Sequence, residues 1–116
     1  MKDEAKLFKA LADPTRVRLA ALLAIRGETC VCKLAQALGQ PDFKISRHLG
    51  VLRASGMVEA RREGTWMHYR LASPRSRLEK SLQAGLRQCL ADHDAVKSDL
   101  ARLDKAVPVA KSGCRA

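Results

Sequence analysis

Aromatic side chains are scarce in this chain: 3% of 116 residues, comprising two Phe, one Tyr and one Trp. Leu, Val, Ile and Ala must therefore build the core. Because Ala and Leu are the strongest helix formers, a helix-rich fold is expected. Long hydrophobic runs are missing as well. The longest, residues 19–25, is far shorter than the roughly 20 apolar residues a membrane-spanning helix needs, so no membrane partner is expected. Lys2, Asp3, Glu4, Lys6 and Lys9 stand where a secretory leader would be apolar, which points to the cytoplasm. Acidic residues are few, 12 Asp and Glu against 22 Lys and Arg, for a formal charge of +10. That imbalance favours a polyanionic partner through phosphate contacts and counterion release. The basic residues are spread along the whole chain, so charge does not locate a site. There is also no convincing nucleophile–base set, no phosphate-binding glycine loop and no carboxylate pair placed for acid–base work, so no enzyme is expected.

What is present begins with helical periodicity. Residues 4–12 place Ala5, Phe8, Leu11 and Ala12 on one helical face. Asp13-Pro14 reads as an N-cap followed by proline at the first helical position, and Gly27 as the stop after about Arg26. That second helix is apolar almost all round from Leu19 to Ile25 and is expected at the centre of the fold. Thr29 is expected to cap a short third helix carrying Val31, Leu34, Ala35 and Leu38. After Gly39-Gln40-Pro41, a fourth helix to about Ser55 aligns Ile45, Leu49 and Leu52. Lys44, Ser46, Arg47, Gly50 and Ala54 lie on its opposite face. Two short helices joined by a glycine-containing turn, the second small and polar on its outside, form a helix-turn-helix.

Past Gly56 the period changes from 3.6 to 2. Met67, Tyr69 and Leu71 alternate with Trp66, His68 and Arg70 after a charged stretch at 61–65, which predicts a β-hairpin with a basic tip. The fold class is thus mainly α with a small β-hairpin: a winged helix-turn-helix over 1–75, a C-terminal dimerisation helix over 76–107 and a flexible tail at 108–116. The dimerisation helix is expected because Leu82, Leu86, Cys89, His93, Val96, Leu100 and Leu103 follow heptad steps. One small unit cannot easily bury so long a stripe, so a second subunit, joined by the first helix, is expected to cover it. The candidate contacts to double-stranded operator DNA are Ser46 and Arg47, supported by Lys44 and His48, with Arg61 and Arg62 on the hairpin meeting the backbone. A homodimer requires an inverted-repeat operator.

The motifs Glu28-Thr29-Cys30-Val31-Cys32-Lys33-Leu34, Lys44-Ile45-Ser46-Arg47-His48-Leu49, Leu52-Arg53-Ala54-Ser55-Gly56 and Trp66-Met67-His68-Tyr69-Arg70-Leu71 are familiar together. Over about residues 5–75 the chain resembles the ArsR/SmtB metalloregulatory repressors, and most of all their arsenic-responsive branch. The resemblance implies a homodimeric winged helix that represses metal-resistance genes, binds DNA without a cofactor and leaves its operator on binding an inducer, As(III) or Sb(III). The branch typically reads Cys-Val-Cys-Asp-Leu-Cys. Here Cys30 and Cys32 are kept, Lys33 replaces the Asp, and Ala35 stands where the third cysteine would fall. The third ligand is left between Cys89 and Cys114. Related cadmium and lead sensors add cysteines from an N-terminal extension, whereas no cysteine precedes Cys30. Zinc sensors of the family carry Asp and His pairs on the last helix, where only Asp92, His93 and Asp94 cluster here.

Four cysteines in a reducing compartment suit metal binding or redox chemistry better than a disulfide framework. With Thr29 as the cap, Cys30 and Cys32 fall in the first helical turn, where unpaired N–H groups and the helix dipole favour thiolates. Residues i and i+2 of a regular helix point to nearly opposite sides, so both sulfurs should meet one ion only if that turn unwinds. Three alternatives share the same residues: a Cd(II), Pb(II) or Zn(II) sensor, a sensor of thiol oxidation, and a metal-sequestering buffer whose DNA binding is incidental.

Overall fold

The computed structural model describes residues 1–108; the tail from 109, with Cys114, lies outside the described residues. Its elements run α1 (Lys2–Leu11), α2 (Pro14–Arg26), β1 (Thr29–Cys30), α3 (Val31–Leu38), α4 (Asp42–Ala54), β2 (Val58–Glu63), β3 (Trp66–Leu71), α5 (Arg77–Cys89) and α6 (Asp94–Lys105).

The expected start and stop of α2 both hold. An Asp13 carboxylate oxygen accepts from the Arg16 N–H at 3.1 Å, Pro14 opens the helix, and Gly27 ends it at φ 80°. Leu19, Ala20, Ala21 and Leu22 are wholly buried, which makes α2 the centre of the core. Each such leucine contributes about 1.5–3 kcal/mol from burial. Helix α4 sets Ile45, Leu49 and Leu52 into the same core, all three fully buried. The left-handed Gly39 (φ 64°) ends α3 and turns the chain toward α4. The helix-turn-helix is formed as the apolar spacing predicts.

Helix α1 turns differently from expectation. Leu7 and Ala10 are buried, while Phe8 is 51% exposed and Ala5 and Ala12 face solvent. Both faces carry apolar residues at helical spacing, and packing against α2 and α4 selects the one with Leu7.

The sheet has three strands rather than two, in the order β1-β3-β2, all antiparallel. The hairpin pairs Glu63 with Trp66, and β1 adds Thr29 opposite Tyr69 and Cys30 opposite His68. A two-residue strand has no period to read, so only the pairing reveals it. Thr29 is therefore not a helix cap: its buried hydroxyl donates to the Gly27 carbonyl at 2.9 Å, and Cys30 occupies the N-cap position of α3.

The expected single C-terminal helix is two. Helix α5 opens on Ser76, whose hydroxyl accepts from the Glu79 N–H at 3.2 Å, and stops at Cys89. Helix α6 opens on His93, whose Nδ1 accepts from the Ala95 N–H at 3.1 Å. The segment Asp92-His93-Asp94 offers side chains that satisfy a helix start, and the chain uses them to reverse. Helix α6 then packs on α3 and α2. The heptad stripe is correspondingly split. Leu86, Val96, Leu100 and Leu103 lie in the core of their own chain, and His93 is an exposed cap. Of the expected seam only half-buried Leu82 and exposed Cys89 remain on an accessible face. Regular apolar spacing marks a buried side without saying which chain buries it.

Candidate functional site

The junction between β1 and α3 brings the two sulfurs together. Cys30 still has extended backbone (φ −79°, ψ 155°), and Cys32 is the second residue of the helix. Because the bend falls between them, the helical rule that sends i and i+2 apart does not apply. Their Sγ atoms are 3.1 Å apart, so no unwinding is needed to pair them. Both residues are buried, at 5% and 2% exposure, with Trp66 packed against them.

Cys30 lines a cavity of about 630 Å³ together with Thr29, Lys33, Trp66, His68, Leu103 and Pro108. Charged residues ring it in pairs. Arg61 holds Glu28 at 2.6 Å and Glu63 at 3.4 Å, and Arg26 holds Asp104 at 2.9 Å. The Arg61 guanidinium keeps the Glu28 carboxyl below its ordinary range, and Arg26 does the same for Asp104. His68 reaches this cavity as the cross-strand partner of Cys30, a neighbour that only the unforeseen β1 creates. Its Nε2 is buried without a hydrogen-bond partner and lies 3.5 Å from a Glu63 oxygen. Among the described residues no three His, Cys, Asp or Glu side chains are grouped to hold a metal ion. Cys89 ends α5, exposed and outside the cavity lining.

The residues expected to meet DNA divide into two kinds. Lys44 and Arg47 are exposed on α4, Ser46 is half-buried, and Gly50, Val51 and Ala54 leave the same helix open to close approach. His48 instead turns toward the start of α2, with Nδ1 3.3 Å from an Arg16 nitrogen and 3.9 Å from an Asp13 oxygen. On the hairpin, side chains alternate between faces, so neighbouring Arg61 and Arg62 project oppositely. Both are exposed, but Arg61 is engaged by Glu28 on the cavity side. Among the described residues no helix is long and apolar enough to cross a membrane.

Residues 13–60 match the family model described as "Bacterial regulatory protein, arsR family". The chain is 54% identical over 67 residues to the arsenical resistance operon repressor of Escherichia coli, a match covering 58% of this chain and 57% of that protein. It is 46% identical over 71 residues to an uncharacterised HTH-type transcriptional regulator of Methanocaldococcus jannaschii, covering 61% of this chain and 80% of that one. Among solved structures it resembles the homodimeric winged helix-turn-helix DNA-binding domain of a possible ArsR-family transcriptional regulator from Mycobacterium bovis. There the TM-score is 0.63 and the identity 37%, covering 80% of this chain and 86% of that one. The match to the Escherichia coli repressor thus spans little more than half of that relative's length, whereas the other two are matched over most of theirs. The helix-turn-helix, its hairpin wing and these likenesses agree: the chain belongs to the arsR family of bacterial regulatory proteins, which are DNA-binding transcriptional regulators and not enzymes.

Proposed function

We propose that this chain is a transcriptional repressor that binds an inverted-repeat operator as a homodimer and releases it when Cys30 and Cys32 capture As(III) or Sb(III). The observation that carries the reading is the 3.1 Å Sγ–Sγ separation at the β1–α3 junction. A soft thiophilic ion prefers sulfur to oxygen or nitrogen donors. An ion seated there pulls on the first helix of the helix-turn-helix and, through the β1–β3 ladder, on the wing. The third ligand is Cys89 or Cys114. The likeness to an arsenical resistance repressor favours arsenic over cadmium or zinc as the signal. Such a repressor works in the cytoplasm, where thiols stay reduced.

For the dimer, α1 and α5 leave apolar surface uncovered away from α4, whose own exposed Phe43 and Val51 lie on the helix-turn-helix: exposed Phe8 on α1, half-buried Leu78 and Leu82 on α5. Phe8→Glu should shift the protein toward monomer in light scattering at micromolar concentration, and an unchanged dimer would exclude α1 from the interface.

The test of the whole reading is operator binding by the reduced protein, followed by fluorescence anisotropy and titrated with As(III), Cd(II) and Zn(II) in parallel. As(III) should release the wild type at stoichiometric concentration. Cys30→Ser and Cys32→Ser should bind the operator and fail to release it. Normal As(III)-driven release by the double variant would overturn the assignment.

A further inference from the structure

The face that α4 turns away from the core is not the charged surface of an ordinary solvated helix. Ile45, Leu49 and Leu52 fix its buried side. At about 100° per residue, Phe43, Arg47, Gly50 and Ala54 then fall on the opposite side, with Val51 next to Arg47. All five are exposed. Phe43 is 62% exposed and Val51 39%, so two large apolar side chains stand uncovered on the second helix of the helix-turn-helix.

Three of these residues also work against the helix. Gly is the poorest helix former after Pro, and Val and Phe rank below Ala, Leu, Lys or Glu. The fold itself gives no reason for the glycine. A Cβ built on Gly50 meets nothing within 4 Å, and Gly50 is not among the glycines with positive φ. Alanine would fit there and hold the helix better. A local cost without an internal use points to something outside the chain that comes close. A single exposed apolar residue is ordinary, but here a Phe and a Val flank an arginine over a bare stretch of backbone.

DNA offers the matching chemistry. The major groove admits a helix, its one apolar group is the C5-methyl of thymine, and guanine presents two acceptors to an arginine. Phe43 and Val51 are eight residues apart, about 12 Å along the helix, with Arg47 halfway. At about 3.4 Å per base pair, Phe43 meets the duplex within two base pairs or so of the base under Arg47. The formal charge of +10 draws the chain to any duplex alike. An apolar contact in the groove adds a preference for thymine.

We propose that Phe43 reads the C5-methyl group of one thymine in each operator half-site, and that Gly50 lets the α4 backbone approach closely enough for that contact. This rests on the reading of α4 as the helix that enters the groove. It adds an apolar determinant beside the polar candidates Lys44, Ser46, Arg47 and His48.

The test uses the full-length reduced protein and three kinds of probe. One is a duplex enriched from a randomised pool by the wild type. The second is that duplex with deoxyuridine replacing one thymidine at a time, which deletes a methyl group and keeps the base pair. The third is a scrambled duplex. At one thymine of a half-site the replacement should weaken wild-type binding about 4-fold, the loss of one buried methyl group. Phe43→Ala should bind the enriched duplex at least about 4-fold more weakly and be indifferent to uracil at that position. Its thermal midpoint, dimer and affinity for the scrambled duplex should match the wild type. Gly50→Ala should raise the thermal midpoint and yet weaken binding to the enriched duplex.

Wild-type indifference to every uracil overturns the proposal, as does full uracil sensitivity retained by Phe43→Ala. A shift of Phe43→Ala to monomer would make this face a protein interface and overturns it too. Undiminished binding by Gly50→Ala overturns the close approach. Arg47→Ala tells the two levels apart. If it leaves sequence preference intact, α4 is not the reading helix. If it relaxes preference while Phe43→Ala changes nothing, the thymine contact alone fails.

Discussion

Arg18 of α2 closes on Asp99 of α6 through two parallel hydrogen bonds, Nε to Oδ2 at 2.8 Å and a terminal nitrogen to Oδ1 at 2.7 Å. Asp99 is fully buried, and Arg102 adds a third bond to it at 2.6 Å while donating to the Ala37 carbonyl at the end of α3. One carboxylate thereby ties α6 to α2 and α3. Removing Asp99 leaves Arg18 and Arg102 partly open to water, so the loss is that of the charged hydrogen bonds, about 1.5–3 kcal/mol. Asp99→Ala should lose stability on that scale in urea unfolding. A change below about 0.5 kcal/mol, the level of an ordinary surface substitution, would show that α6 is held by its apolar face alone.

Gly56 follows the α4 C-terminus at φ 85°, and a Cβ built there would lie 2.6 Å from an Arg75 guanidinium nitrogen. Two penalties meet: left-handed backbone, about 1–2 kcal/mol for a residue with Cβ, and displacement of Arg75 from Glu79. Gly56→Ala should be destabilising. Gly39→Ala, with the same sign of φ and open space around it, should cost only the backbone part. Adding Arg75→Ala to Gly56→Ala should not restore full stability, because the backbone strain persists. Full recovery in thermal unfolding would refute this division.

On DNA the three arginines should behave differently. Arg47→Ala should cost about 1–3 kcal/mol and relax sequence preference if it meets a base edge. Arg62→Ala should weaken all sequences alike and flatten the salt dependence. Arg61→Ala should matter less, since Glu28 already holds that guanidinium at 2.6 Å. Glu28→Gln should release it and steepen the salt dependence. Equal effects of Arg61→Ala and Arg62→Ala in a salt-titrated binding assay would count against the pairing's importance.

The Arg75 side chain beside buried Glu79 lowers that carboxyl below its ordinary range of about 4.3. A carboxyl lowered in the folded state gives stability that is complete above its unfolded value and disappears as pH falls through the folded one. Stability should therefore decline on acidification below about pH 5, where unfolded carboxylates begin to bind protons. Glu79→Gln should show a shallower decline. An identical acid slope in wild type and variant would remove Glu79 from the account.

Local chemistry, and thus the sequence alone, settled the helix-turn-helix. Asp13-Pro14 can start a helix in almost any surroundings, Gly39 can end one, and Ile45, Leu49 and Leu52 share a face whatever covers it. The alternation around Tyr69 likewise determined the hairpin, and the Cys30-Val31-Cys32 spacing marked the thiols. Tertiary structure decided what those patterns leave open. Packing chose the Leu7 face of α1 over the Phe8 face, and the reversal at His93 turned Val96, Leu100 and Leu103 into their own chain. Pairing with β3 drew Cys30 into a strand, so the bend before α3, not an unwound turn, sets the two sulfurs side by side. Periodicity reports which side of an element is apolar. Which surface covers that side, and where a strand gives way to a helix, depend on contacts between residues far apart in the chain.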